Sequence, residues 1–315
     1  MSTLTIGLVN NMPDAALRTT ERQFRQLLSQ ASPEIDIRLR LFSIPGHARS
    51  ESALTYLRQH YADIDELWSG GPLDGLIVTG TEPRVAIEDE PFWPILTRLF
   101  AWAQDHTVST ILSCFAAHAA VLHLDGIRRR ELPRKLFGVF ECTRIADHPV
   151  LDGAPRTWVA PHSRFNDLPE AALVGAGYTI LSRSPEAGAD MFAAEGKSLF
   201  LFIQGHPEYD AGALLREYRR DIGRFLAGEQ DDYPLMPTGY FDAVAAASCG
   251  RFEKLAVESR DIQLLAKFPA VEPERSVVHA WRQPALRLYG NWLAYLAKRG
   301  RMPYRRTAPP LAATQ

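Results

Sequence analysis

The sequence predicts an α/β protein with a mostly parallel sheet that is covered by helices on both faces and extended by mixed strands. Strand and helix patterns alternate over roughly the first 125 residues, and most of the strand patterns are apolar along their whole length. Strands that are buried on both faces have this composition, and repeated β-α units place them parallel. From about residue 134 to residue 203, short strand patterns follow one another directly, which indicates an antiparallel or mixed extension.

Each predicted element has its own local signal. Residues 3–9 form an apolar strand pattern, and Asp14 is a suitable N-cap for a helix whose apolar face includes Leu17, Phe24 and Leu27. Further strands are predicted at residues 35–42, 73–78 and 108–112, and further helices near residues 50–60, 92–104, 115–124, 211–226 and 284–297.

Composition and charge exclude several classes of function. With 46% hydrophobic and 23% charged residues, the chain of 315 residues can form a sizeable core. A formal net charge of −2 provides no overall positive field that would attract nucleic acid or an anionic membrane. No stretch approaches the roughly 18 apolar residues of a membrane span. We therefore expect neither nucleic acid nor a membrane as a partner.

Cysteine usage indicates a reducing compartment. Cys114, Cys142 and Cys249 have neither CxxC spacing nor an even-numbered framework, which argues against disulfides and structural zinc. The first residues form a strand pattern without the basic and long apolar regions of a signal peptide. We expect a cytoplasmic protein. No histidine and carboxylate have convincing metal-ligand spacing, so we predict no metal site.

Cys114 is the strongest candidate nucleophile. In STILSCFAAHAA, an apolar strand pattern ends at this cysteine and continues directly into a helix pattern of small residues. A sharp strand-to-helix turn presents a side chain at the carboxyl edge of the sheet, and the positive end of the helix dipole favours a thiolate there. The backbone N–H of Phe115 would then face a developing oxyanion, with a second donor from the loop at Gly80 and Thr81. An ordinary buried core cysteine would show the same pattern.

His206 and Glu208 complete a candidate catalytic triad. They follow the apolar strand pattern LFLFIQG, and sites in open α/β sheets lie beyond such strand ends. A cysteine nucleophile needs a base that later acts as an acid, and a carboxylate fixes the imidazole tautomer. A turn with a capping glutamate would also account for this segment. Among the remaining histidines, His118 is predicted to be packed or exposed on a helix, and His162 to lie in a strand-end loop.

Taken together and in order, the segments around these residues resemble the homoserine O-succinyltransferase/O-acetyltransferase family. The resemblance covers about residues 4–302, and the matching segments are IGLVNNMP, ERQFRQLL, DGLIVTG, SCFAAHAA, KLFGVFE, VAPHSRF, GHPEYD, LLREYRRD and NWLAYL. It implies a flavodoxin-like, class I glutamine amidotransferase-like fold. Residues 1–230 would form the catalytic domain and residues 231–302 a C-terminal extension packed on it. Residues 244–278 resemble an insertion, and residues 303–315 are predicted to be a flexible tail.

The resemblance also implies roles for individual residues. By position, the implied catalytic residues are Cys114 as the acyl-thioester nucleophile, His206 as the proton acceptor and Glu208 as its partner, and the implied substrate-binding residues are Lys135, Ser163 and Arg220. The implied reaction is a two-step transfer through an acyl-cysteine, with acyl-CoA as co-substrate and no cofactor. Cationic side chains suit the carboxylate of an amino-acid acceptor. A homodimer is the family-like expectation.

The loop after DGLIVTG leaves the identity of the acyl donor open. The family usually has GAP here, whereas this chain has GTEPR and is one residue shorter. Arg84 in this loop could pair with a succinyl carboxylate, which favours succinyl-CoA over acetyl-CoA. The predicted insertion keeps serine open beside homoserine as the acceptor.

The Cys-His-Glu arrangement would also suit a glutaminase or γ-glutamyl hydrolase, and the same scaffold could serve a non-catalytic binding protein.

Overall fold

The computed structural model describes residues 3–299, except for the side chains of Arg275, Ser276 and His279. The strands are β1 (Leu4–Val9), β2 (Ile37–Ser43), β3 (Ala62–Asp63), β4 (Leu73–Val78), β5 (Thr107–Ser113), β6 (Arg130–Arg144), β7 (Thr157–Asp167), β8 (Thr179–Ser184), β9 (Gly188–Ala194) and β10 (Leu199–Ile203). The helices are α1 (Asp14–Ala31), α2 (Glu51–His60), α3 (Ile64–Ser69), α4 (Trp93–His106), α5 (Phe115–Asp125), α6 (Glu170–Gly175), α7 (Ala213–Leu226), α8 (Ala243–Ser259) and α9 (Arg275–Arg299). Short 3-10 turns lie at Ile87–Asp89, Pro149–Leu151 and Ile262–Lys267. The predicted tail at residues 303–315 lies outside the described residues.

The strands pair into one sheet in the order β3-β2-β1-β4-β5-β10-β9-β8-β6-β7. Neighbours from β3 to β10 are parallel, and those from β10 to β7 are antiparallel. This confirms the predicted parallel sheet with a mixed extension. Because β4, β5 and β10 are adjacent and parallel, the loops that follow them meet at one edge of the sheet.

Helices cover both faces of the parallel half of the sheet. On one face, α4 and α5 bury an apolar cluster that includes Leu96, Phe100 and Ala116. On the other face, α1 and α9 pack together over the central strands and bury residues such as Phe24 and Trp292. The indole N–H of Trp292 donates to Ser109 Oγ over 2.9 Å, which joins the C-terminal helix to the middle of the sheet.

A third apolar cluster joins α7 and α8 to the antiparallel half of the sheet. Tyr218 and Phe225 of α7 are buried against Phe252 of α8 and Trp281 of α9. The chain before α8 also returns to β6, where Thr238 exchanges backbone hydrogen bonds with Phe137 and Val139. Residues 244–278, the segment that resembles an insertion, therefore pack on α7, which lines the functional site described below.

Two local predictions differ from the structure. Asp14 is the first residue of α1 rather than its N-cap, because its carboxylate accepts from the Ser50 N–H at 2.7 Å and from Arg49 at 3.2 Å. The C-terminal helix begins at Arg275, well before the predicted start, and continues through Pro284. In residues 3–299, no helix combines the length and the apolar character that crossing a membrane requires.

Candidate active site

Cys114 occupies a strained turn between β5 and α5. Its backbone dihedrals are φ 49° and ψ −109°, a region that residues with a Cβ rarely adopt. The Cys114 N–H donates to the Ile203 carbonyl of β10 over 2.7 Å, which fixes the turn against the neighbouring strand. The thiol is partly exposed. The sharp turn therefore presents a nucleophile at the carboxyl edge of the sheet, as predicted from the sequence.

The first turn of α5 supplies a donor for an oxyanion. Phe115 is the first residue of this helix, where a backbone N–H has no partner within the helix. Gly80 passes close to it, since a Cβ at Gly80 would lie 3.4 Å from both the Cys114 Cβ and the Phe115 nitrogen. Thr81 lines the same cavity as Cys114. The roles of Phe115 and Thr81 as oxyanion donors stay predictions, and this geometry supports them.

The His206 ring is held between a carboxylate and an aromatic ring. His206 and Glu208 are buried in the turn after β10, and Nδ1 of His206 lies 2.8 Å from Oε1 of Glu208. Tyr209 stacks on the imidazole with a centroid distance of 4.3 Å and an interplanar angle of 15°. The backbone N–H of His206 also donates to the Pro161 carbonyl of β7 over 2.8 Å. With Nδ1 engaged, Nε2 remains for a proton exchanged with the Cys114 sulfur.

The charge on His206 is set by its two neighbours. Burial opposes the charged imidazole, but the Glu208 carboxylate and the Cys114 sulfur together raise the pKa of His206 well above its usual value. The structure therefore favours an imidazolium beside the sulfur in the resting site. The imidazolium can donate its proton to a leaving group. The ring is then neutral and can act as a base.

His162 lies beneath the triad, inside β7, and the prediction of a strand-end loop was wrong. It is fully buried, and its Nε2 lies 3.3 Å from Asp190 Oδ1, while Ser182 Oγ donates to Asp190 Oδ2 over 2.8 Å. Cys142 joins this group, and the candidate ligand atoms of Cys142, His162 and Asp190 lie within 4.8 Å of one another. Burial raises the pKa of the Cys142 thiol, which keeps it neutral in this apolar surrounding. We interpret the group as a polar support for the turn above it.

A cavity of about 370 Å³ opens in front of Cys114. This volume lies in the range of small-molecule sites, roughly 300–1,000 Å³. The structure brings most of the predicted site residues to this cavity, which is lined by Thr81, Glu82, Pro83, Cys114, Phe115, His118, Arg129, Lys135, Ser163, Arg164, Phe165, Asn166, Arg220, Asp221, Arg224 and Gln230. The three substrate-binding residues implied by the resemblance are all among them.

Pairing of β6 with β7 and the turn of α7 bring these three residues together. Lys135 Nζ lies 2.8 Å from Asp221 Oδ2, and Arg220 lies 2.9 Å from Asp221 Oδ1. Ser163 Oγ donates to Glu217 Oε2 over 2.5 Å. The Asp221 carboxylate is buried, yet Lys135 and Arg220 lower its pKa below the usual value, so it remains charged. This wall of the cavity presents both signs of charge, which suits a zwitterionic amino acid.

Arg84 does not line the cavity in the part of the chain that the structure describes. Its side chain is exposed, and its backbone N–H donates to the Glu90 carboxylate in the loop after β4. The N–H groups of Arg84 and Val85 both donate to the Glu90 carboxylate, so the loop folds back on itself. The proposed role of Arg84 in acyl specificity stays a prediction, and this geometry does not support it.

Several residues of the site were missed by sequence reasoning. Tyr209 donates to Glu217 Oε1 over 2.5 Å, so Glu217 connects the His206 stack to Ser163. Glu217 and Arg220 lie on one helical face, but this spacing does not indicate what Glu217 contacts. His118 is buried and lies 2.8 Å from Gln204 through Nε2, and burial lowers its pKa to about 3. No local pattern pointed to these long-range contacts.

Comparison with known proteins places the chain in a family. Residues 1–302 match the family described as homoserine O-succinyltransferase. This chain belongs to that family, and the resemblance noted from the sequence is confirmed. It is 49% identical to homoserine O-succinyltransferase of Bradyrhizobium japonicum over 298 residues, 93% of this chain and 90% of the relative. It is 48% identical to the Rhodopseudomonas palustris enzyme of that name, over 93% of this chain and 88% of the relative.

Solved structures support the predicted fold class. A glutamine amidotransferase from Methylobacillus flagellatus aligns with a TM-score of 0.54 and 14% identity, over 98% of this chain and 100% of that chain. A glutamine amidotransferase from Thermotoga maritima aligns with a TM-score of 0.52 and 12% identity, over 94% of this chain and 99% of that chain. At these identities the likeness confirms the glutamine amidotransferase-like fold alone.

The pairing of His206 with Glu208 predicts the effect of Glu208→Gln. Burial lowers the pKa of His206, and without the Glu208 charge only Cys114 would oppose that effect. The pKa of His206 should therefore fall, and its imidazolium should be lost at a lower pH than in the wild type. Turnover should fall by about 10²–10⁴-fold because the base is no longer oriented. NMR titration of the His206 ring and steady-state kinetics measure these effects. The exposed Glu258→Gln serves as the control, and an unchanged His206 titration in Glu208→Gln would contradict the assignment.

Proposed function

We propose that this protein transfers a succinyl group from succinyl-CoA to the hydroxyl of L-homoserine through an acyl-cysteine, as a step of methionine biosynthesis. The observation that carries the proposal is Cys114, with His206 beside it, at a cavity that Lys135, Ser163 and Arg220 also line. Relatives that share 46–49% identity with this chain have the name homoserine O-succinyltransferase. Family and site therefore support the same reaction.

The first step forms the acyl-enzyme. The Cys114 thiolate attacks the thioester carbonyl of succinyl-CoA, and a bond forms between its sulfur and the acyl carbon. The Phe115 N–H faces the negative oxygen of the tetrahedral intermediate. The bond to the CoA sulfur then breaks, and CoA leaves as a thiol with the proton that the His206 imidazolium donates. His206 is now neutral and Cys114 carries the acyl group.

The second step regenerates the enzyme. Neutral His206 removes the proton from the homoserine hydroxyl, and the oxygen attacks the acyl carbon of the Cys114 thioester. A carbon–oxygen bond forms, the bond to the Cys114 sulfur breaks, and the sulfur leaves as a thiolate beside the new imidazolium. Glu208 holds the same imidazole orientation through both proton transfers, since its 2.8 Å contact is to Nδ1.

The acceptor is proposed to lie against the wall formed by β6, β7 and α7. Its carboxylate can pair with Lys135 and Arg220, which share Asp221 in the resting protein. Glu217 is hydrogen-bonded to Ser163, which lines the cavity, and its carboxylate can accept from the ammonium group. Binding an acceptor with both charges lets these side chains exchange partners without leaving a buried charge unpaired. A cytoplasmic location and a homodimer stay predictions.

Intact-protein mass spectrometry tests the reaction. After brief incubation with succinyl-CoA, we expect a succinyl mass increment that is absent in Cys114→Ala and is discharged by adding homoserine. Acetyl-CoA as donor and serine as acceptor are run in parallel, so that each substrate is identified by its own mass change. Release of free succinate without an acceptor would indicate a hydrolase. No adduct from either donor would contradict the proposal.

Acceptor binding predicts different effects for two arginines of the same helix. Arg220→Ala should lower kcat/KM for homoserine by about 10–150-fold, the loss expected for a hydrogen bond to a charged group, while Cys114 is still acylated. Arg216 is the matched control, because it is exposed and pairs with Asp210 outside the cavity. Acylation and transfer are measured separately by quenched flow. Equal losses in both variants would contradict acceptor binding by Arg220.

A further inference from the structure

The cavity in front of Cys114 contains five cationic side chains, and four of them are paired. Lys135 and Arg220 contact Asp221. Arg164 lies 3.0 Å from Asp167, and Arg224 lies 3.3 Å from Glu82. Each of these four cations therefore has a carboxylate partner. The fifth cation is Arg129. Among the described residues, no carboxylate lies within 4.0 Å of its guanidinium, although it is half-buried.

Arg129 lines the same cavity as the acceptor-binding residues and lies beside the first residue of α5. It precedes β6 directly, and its guanidinium carbon lies 5.8 Å from the centroid of the Phe115 ring. Phe115 follows the nucleophile in the chain, so this contact holds Arg129 beside the reacting centre. Burial lowers the pKa of Arg129, and the Cys114 sulfur and the carboxylates of Glu88, Glu90 and Glu131 oppose this only from a distance.

An unpaired, half-buried guanidinium costs free energy because it has lost part of its hydration and has no counter-charge. A ligand that supplies the counter-charge offsets this cost. In the succinyl group, two methylene groups separate the reacting carbonyl from a free carboxylate. An acetyl group has no such charge. A planar guanidinium binds a carboxylate through two parallel hydrogen bonds, which fixes both the position and the direction of the acyl chain.

We propose that Arg129 binds the distal carboxylate of the succinyl group and is the residue that selects succinyl-CoA over acetyl-CoA. This inference rests on the proposed acyl transfer and assigns to Arg129 the role first expected of Arg84. The exposed Arg84 side chain lies outside the cavity lining, whereas Arg129 shares that lining with Cys114. The paired Lys135 and Arg220 remain available to the acceptor, so the donor and the acceptor are recognised by different cations.

The test compares acylation of Cys114 by succinyl-CoA and acetyl-CoA in the wild type, Arg129→Gln and Arg129→Lys. Single-turnover mass spectrometry gives kcat/KM for each donor. In Arg129→Gln, the ratio of succinyl to acetyl kcat/KM should fall by about 10–150-fold, the value for a lost charge-assisted hydrogen bond. Arg129→Lys keeps the charge but not the planar pair of donors, so its ratio should lie between those of the wild type and Arg129→Gln.

Arg128→Gln is the matched control, because Arg128 is exposed and pairs with Glu88 at 2.7 Å outside the cavity lining. Its donor ratio should equal that of the wild type. Equal losses for both donors in Arg129→Gln would overturn the inference and assign Arg129 to CoA or to the nucleophile. An unchanged ratio in both Arg129 variants would overturn it as well. If the wild type is acylated by neither donor, the proposed function itself fails, which is a distinct outcome.

Discussion

The backbone of Cys114 is the constraint on which the rest of the site depends. Parallel pairing of β5 with β4 and β10 ends three strands at one edge, and the bond from the Cys114 N–H to Ile203 holds the turn there. A positive φ at a residue with a Cβ persists only where the surrounding structure enforces it. The packed sheet supplies that enforcement, and in return the turn places the thiol, the Phe115 N–H and the end of β10 side by side.

The charged residues around Cys114 determine which groups the site can bind. His206 is buried between Glu208 and Cys114, and both of them raise the pKa of its imidazole against the effect of burial. At α7 the cations of the cavity are paired with carboxylates, whereas Arg129 is a cation with no carboxylate within 4.0 Å among the residues that the structure describes. A site built in this way can admit two anionic substrates in sequence, because each anion meets a different cation.

The sequence was sufficient to predict the parts of the site that local patterns determine. Cys114 and His206 each follow the end of an apolar strand pattern, which indicated a common edge, and the alternation of strand and helix patterns indicated the fold class. Arg129 and Glu217 could not be found in this way, since their roles depend on a loop and a helix packing across the cavity. His162 was misplaced because its polar neighbours resemble a loop, whereas tertiary packing extends β7 through them.

The most direct test of this account is a crystal structure of the protein trapped with succinyl-CoA in the absence of an acceptor. We expect continuous density from Cys114 Sγ to a succinyl group, with the thioester carbonyl oxygen directed towards the Phe115 N–H. The free carboxylate should lie against the Arg129 guanidinium. An acyl group on another side chain, or a thioester oxygen directed away from the first turn of α5, would contradict the account.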